Sequence, residues 1–124
     1  MRQGEIQPRP ALAVRDASAR DVAAVRQLLR EYRDWLGLDL SFQDFEQELG
    51  GLPGNYAGDR GGALLVAESE GAIQAMVALR RLDDGACEMK RLYVREPLRG
   101  RGLGRRLAEA IIARARAGVF PDAT

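Results

Sequence analysis

Glu88-Met89-Lys90-Arg91-Leu92-Tyr93-Val94-Arg95-Glu96-Pro97-Leu98-Arg99-Gly100-Arg101-Gly102-Leu103-Gly104 decides how this chain is read. The first part, from Cys87 to Val94, follows the turn signal Asp83-Asp84-Gly85 and reads as a strand. Beyond Gly104 the sequence predicts a helix, with Leu103, Leu107, Ala110, Ile111 and Ala115 on one side and Arg105, Arg106, Glu109 and Arg116 largely off it. Gly118 and Pro121 are its stop signals. Between strand and helix, Gly100, Gly102 and Gly104 alternate with Arg101 and Leu103 at the helix mouth, where unpaired amide N–H groups and the positive dipole end collect. A loop without side chains lets an anion reach those amides, the physics of a phosphate or pyrophosphate cradle, and the flanking arginines raise the local potential. The plainer alternative is a flexible glycine turn joining strand to helix.

Two other phosphate loops fit poorly. A dinucleotide loop wants Gly-x-Gly-x-x-Gly after the first strand of a βαβ unit, whereas these glycines come late and alternate. A nucleotide-triphosphate loop wants Gly-Lys-Ser or Gly-Lys-Thr, and Gly104 is followed by Arg105.

Upstream, Ala63–Glu68 and Ala72–Leu79 flank the turn Ser69-Glu70-Gly71, so with 87–94 they form a three-stranded antiparallel meander. Before the meander, Gly50 to Gly62 is rich in glycine and reads as a loop, with Tyr56 the aromatic expected to be mobile near a substrate. Ser41 can cap a short helix that puts Phe42, Phe45 and Leu49 on one face. Ser18 and Asp21 resemble a capping box, opening a helix with the stripe Val22, Val25, Leu29, Tyr32 and Leu36 and a stop at Gly37. Trp35 and Tyr32 are expected to pack rather than to cage a substrate. Ala11–Arg15 is apolar enough for a first strand, and residues 1–10, with Gly4, Pro8 and Pro10, read as a loose lead-in.

The chain has 124 residues, 46% hydrophobic and 30% charged, which predicts one small domain over 11–124. No apolar run reaches the ~18 residues needed to span a bilayer, and the start lacks the pattern of a signal peptide, so the expectation is a cytoplasmic protein with no membrane partner. Histidine is absent and Cys87 is the one cysteine. Ser-His-Asp and Cys-His catalysis, Cys/His zinc sites and an intrachain disulfide are thereby excluded, and no metal is expected. Charge is segregated: residues 31–70 hold nine acids against two bases, and residues 90–116 nine bases against two acids. Solvated helix faces explain this, or one end that seeks cations and another that seeks anions.

Arg99-x-x-Gly102-x-Gly104, preceded by the strand 88–94 and Pro97, resembles the acyl-CoA motif of the GNAT superfamily of N-acetyltransferases. The order of strand, two helices, meander, motif and helix is similar too, across about residues 11–117. The resemblance implies an α/β (α+β) fold with a mixed, mainly antiparallel sheet flanked by helices. It also implies acetyl-CoA as co-substrate and a primary amine of a small molecule or protein as acceptor. By position, it places the CoA pyrophosphate on Arg99, Gly100, Arg101, Gly102, Leu103 and Gly104 with Arg105, and the pantetheine arm on backbone groups of Leu92, Tyr93 and Val94. A strand edge offers donors and acceptors in register with the pantetheine amides. An amine of pKa ~10.4 must lose a proton before it attacks, and Glu88, eleven residues before Arg99, stands where family members with a glutamate base often carry it. Glu31, Asp34 and Asp44 are vaguer candidates for drawing in a cationic amine, and Cys87, by strand alternation, points away from Glu88 into the core.

The resemblance also implies further C-terminal strands that this sequence lacks, so the reading is of a domain truncated after the helix. The strand at 87–94 is then an open edge. A shortened gene product, a portion of a longer chain, or a homodimer that completes the sheet would each account for it. A catalytically inactive CoA-binding or self-associating remnant is the rival function. Nucleic acid is disfavoured as a partner, because the arginines lack interleaved aromatics that stack bases.

Overall fold

The computed structural model describes residues 12–37, 43–82 and 85–117, without the side chains of Gln43 and Asp44. The lead-in, Ala11, the Ser41 cap with Phe42, the Asp83-Asp84 turn pair, Gly118 and Pro121 lie outside the described residues. The elements are β1 (Ala13–Asp16), α1 (Val22–Leu36), α2 (Gln43–Gly50), β2 (Ala63–Ser69), β3 (Ala72–Arg81), β4 (Cys87–Val94) and α3 (Leu103–Ala117). Short 3-10 turns occupy Ala19–Asp21, Gly54–Tyr56, Gly58–Arg60 and Glu96–Leu98. The four strands pair antiparallel in the order β1-β2-β3-β4, so among the described residues β4 is an edge strand.

Each face of the sheet has its own core. On one, Leu103, Leu107, Ile111 and Ala115 of α3 pack on Leu65, Ala67, Ala75, Val77, Leu79 and Cys87. On the other, Val25, Leu28 and Leu29 of α1 and Phe45 and Leu49 of α2 pack on Leu64, Val66, Met76 and Ala78. α1 starts where the Asp21 carboxylate accepts from the Ser18 N–H at 2.7 Å and the Ser18 hydroxyl at 3.0 Å. It ends on Gly37, whose φ of 68° is the left-handed conformation that glycine adopts without steric cost.

One irregularity in β4 positions the site. Ala78 pairs with Lys90 but Met76 pairs with Tyr93, so Val77 is opposed by both Arg91 and Leu92. This is a β-bulge, and Arg91 takes a positive φ of 58° within it. The extra residue inverts the alternation. Cys87 therefore faces the α3 core while Tyr93, an even number of residues later, faces the α1/α2 core. Glu88 and Lys90, opposite Arg80 and Ala78, stand on the α1/α2 side.

Candidate active site

The site gathers at the C-terminal half of β4, the glycine loop and the α1/α2 side of the bulge. Gly100 and Gly102 both have positive φ, 80° and 77°, and a Cβ built on either meets nothing within 4 Å. The glycines thus shape the loop and leave the space over its amides clear. Gly104 is different: it lies inside α3, where a Cβ would touch a Val94 methyl at ordinary contact distance. Leu103, buried at the base, anchors the start of α3. The Arg106 N–H bonds the Gly102 carbonyl at 3.0 Å, and the N–H groups of Leu103, Gly104 and Arg105 before it have no acceptor within the helix. Exposed Arg101 and Arg105 flank this mouth. The donor set fits a pyrophosphate: bare amides, a helix dipole and two cations.

Arg99 turns back instead of flanking the mouth. Its Nε donates to the Val94 carbonyl at 2.7 Å, and its guanidinium lies 4.7 Å from the centre of the Trp35 ring and 5.3 Å from that of Tyr93. Leu92 and Val94 lean on the α3 core, and the Tyr93 hydroxyl donates to Glu31 at 3.4 Å. Trp35 does not pack into the core as expected. It is 55% exposed and bridges α1 to the motif through Arg99 and tilted contacts with the rings of Tyr32 and Tyr93.

Glu88 sits on the α1/α2 side of β4, partly exposed, with its Oε1 accepting from Arg80 Nη2 at 2.8 Å. Cys87 is buried on the opposite face, as alternation predicted. Next to Glu88 a recess of about 540 Å³ opens, walled by Glu48, Asn55, Tyr56, Arg80, Lys90 and Arg91. Two of the acids read as lures for a cationic amine are engaged otherwise. Glu31 takes Arg95 through two bonds of 3.0 and 2.9 Å, and Arg95 holds its carboxyl below the usual carboxylate range. Asp34 pairs with its neighbour Arg33, and the Asp44 side chain lies outside the described residues. Glu48 receives Arg91 at 3.1 and 2.9 Å and the Tyr56 hydroxyl at 2.9 Å. Tyr56 is therefore buried rather than mobile, and burial pushes its phenol pKa up. Two of these pairs, Glu31–Arg95 and Glu48–Arg91, join the acidic stretch to the basic one.

Arg80, Lys90, Arg91 and Glu48 escaped the sequence reading as site residues. Lys90-Arg91 carried a usable signal, because two consecutive charges inside a half-buried strand violate simple alternation and mark a bulge. Among the described residues no group of three or more potential ligands is placed to hold a metal ion, and no helix is long and apolar enough to cross a membrane.

The site thus combines an edge strand bulged at Arg91 with a bare-amide loop at the mouth of α3. Residues 22–120 match the Acetyltransferase (GNAT) family, and the chain belongs to that family. It is 37% identical over 93 residues to an uncharacterised N-acetyltransferase of Schizosaccharomyces pombe, covering 74% of this chain and 57% of the relative. It is 40% identical over 62 residues to another of Dictyostelium discoideum, covering 50% of this chain and 29% of the relative. The chain thus spans less than two thirds of either relative's length. In fold it is similar to a structure from Clostridium acetobutylicum described as a predicted acetyltransferase with acetyl-CoA. The TM-score is 0.75 at 14% identity, over 92% of this chain and 79% of that one.

Proposed function

We propose that this chain binds acetyl-CoA and transfers its acetyl group to a primary amine of a small molecule or protein. The observation that carries the reading is the loop at Gly100 and Gly102, whose positive φ values bare the amides at the mouth of α3 directly after the bulged edge of β4. The acetyl-CoA carried by the Clostridium structure of the same fold supports it. The pyrophosphate lies on the amides from Gly100 to Gly104 between Arg101 and Arg105, and the pantetheine arm runs along the backbone of Leu92, Tyr93 and Val94. Arg99 fixes that edge by its bond to the Val94 carbonyl and its stacking on Trp35 and Tyr93. Glu88 takes the proton from the acceptor amine, directly or through water, as the amine nitrogen bonds to the acetyl carbon and the thiolate leaves. A thiol of pKa ~8.5 is a good enough leaving group to go without a strong acid. Arg80 holds the Glu88 carboxylate in place.

The second reading is a silent CoA-binding or self-associating remnant, and the edge position of β4 favours it, since an unpaired edge accepts a strand from a second copy. Calorimetric titration of acetyl-CoA separates the two, with Gly102→Glu putting a side chain and a negative charge into the cradle. Micromolar binding that is lost in Gly102→Glu, with thiol release over an amine panel that falls at least tenfold in Glu88→Gln, is the expected result. Binding without turnover selects the remnant. A folded chain that binds no acetyl-CoA overturns the acetyl-transfer reading and selects the self-associating remnant.

A further inference from the structure

The recess beside Glu88 is richer in cations than its acids can match. Three cationic side chains, Arg80, Lys90 and Arg91, face two carboxylates. Glu48 is fully engaged by the fork of Arg91 and by the Tyr56 hydroxyl. Glu88 takes one donor of Arg80, whose Nε is buried without a hydrogen-bond partner among the described residues. Lys90 makes no ion pair among the described residues. Burial pushes its ammonium pKa down, and Arg91 and Arg80 push the same way, more than Glu48 and Glu88 restore. An anion placed here relieves that repulsion and meets the Lys90 ammonium and the accessible guanidinium of Arg80. The volume, about 540 Å³, suits a small metabolite.

The location gives the charge a purpose. Arg91 is the bulge residue, so the recess adjoins the strand segment Leu92–Val94, and Glu88 stands at its rim, bonded to one of its walls. We propose that the recess is an anion subsite of the acceptor, taking a carboxylate or phosphate group on the same molecule whose amine meets Glu88. This rests on the acetyl-transfer reading and names its substrate class: an amine that also bears an anionic oxygen group, such as an amino acid or an aminoalkyl phosphate. The neighbouring charges suit such a zwitterion, Lys90 and Arg80 for its anion and Glu88 for its ammonium before proton loss.

The test is a titration of the isotopically labelled chain, followed by nuclear magnetic resonance at the Arg80 Nε–H and the Lys90 ammonium, and needs no CoA. The probes are N-acetylglycine, its uncharged amide, and inorganic phosphate, at constant ionic strength. Saturable shifts with N-acetylglycine and none with the amide are expected, with affinity falling about tenfold in Lys90→Gln and returning in Lys90→Arg, as loss of one charged hydrogen bond predicts. Tighter binding of phosphate than of N-acetylglycine assigns a phosphate-bearing acceptor, and the reverse assigns a carboxylate. Equal shifts with acid and amide, or a Lys90→Gln chain that binds like the parent, overturn the subsite whatever the acetyl-CoA titration gives. Failure of acetyl-CoA to bind, with this pattern intact, instead removes the acetyl-transfer reading and leaves the anion site without its acceptor role.

Discussion

The two faces of the sheet are built from different chemistry. Under α3 the core is apolar throughout: leucine, isoleucine and alanine meet valine, alanine and one thiol. Under α1 and α2 a similar apolar layer ends in guanidinium, carboxylate and aromatic groups, with Arg91 joined to Glu48 and Arg95 to Glu31. The α3 face supplies stability and holds the glycine loop at the end of a rigid helix. The opposite face carries the polar groups that water no longer fully serves, and the recess, Glu88 and the bulge lie there. The proposed acceptor subsite is thus on the face where polar groups were brought partly inside, at an energetic cost that only specific pairing offsets.

The sharpest break of this comparison is a cavity in the apolar face. Leu107→Ala removes a fully buried side chain, and large-to-small changes of this kind cost about 2–5 kcal/mol. Against the ~5–15 kcal/mol total of a typical domain, this is the largest effect expected of any single change discussed, read as a lower urea midpoint with unchanged slope. A loss under about 1 kcal/mol would show that α3 is not the main support of the sheet.

On the other face the corresponding experiment is Glu48→Gln. It leaves Arg91 partly buried without its counter-charge, and Tyr56 keeps at most a neutral acceptor. Breaking a fully buried pair costs about 3–5 kcal/mol, and this pair, whose side chains keep roughly a sixth of their exposure, is expected to cost about 2 kcal/mol. Adding Arg91→Met should recover most of that, because the penalty belongs to the stranded charge. A double variant as unstable as the single one would place the loss in the shape of the Phe45 and Tyr32 packing around Arg91 instead.

These two faces were not equally legible in the sequence. Leu103, Leu107, Ile111 and Ala115 recur at helical spacing, so the α3 face could be read from local pattern alone. The meander and the order of elements were equally local. Leu28, missed from the α1 stripe, is also local: it follows Val25 by three residues and is buried beside Leu29. On the polar face the decisive facts are long-range. Glu48 and Arg91 lie 43 residues apart and Glu31 and Arg95 lie 64 apart, and no periodicity joins them. Tyr56 lies in a glycine-rich segment that suggests exposure, yet its hydroxyl finds Glu48 and its ring goes inside. The bulge at Arg91 shifts every later side chain by one face, so Lys90 and Arg91 could join Arg80 in a recess that strict alternation would have split between two sides. The glycine loop, in contrast, was legible because its chemistry is backbone chemistry, and a backbone requirement is written directly as glycine.

Ion pairs of one chemical type on the two faces give the finest comparison. Asp16 joins Arg114 of α3 at the surface, with both side chains about half exposed. Glu31 joins Arg95 and also accepts from Tyr93 with about a quarter of its side chain exposed. Asp16→Asn is expected to cost about 0–1 kcal/mol, vanishing in molar salt, because solvent already screens that pair. Glu31→Gln should cost about 1 kcal/mol and keep most of that cost in salt, since two charge-assisted bonds and a tyrosine contact go together. The pH dependence tells them apart further. Arg95 lowers the folded-state pKa of Glu31 below its unfolded value, so its contribution is complete above about pH 4.3 and fades as acid carries the pH down through the lowered value. Urea midpoints measured from pH 6 to pH 2 should fall less steeply in Glu31→Gln than in the parent. Parallel curves would mean that Glu31 and Arg95 meet too loosely to be coupled, and the polar face would then resemble the surface beyond α3 more than the buried layer beneath it.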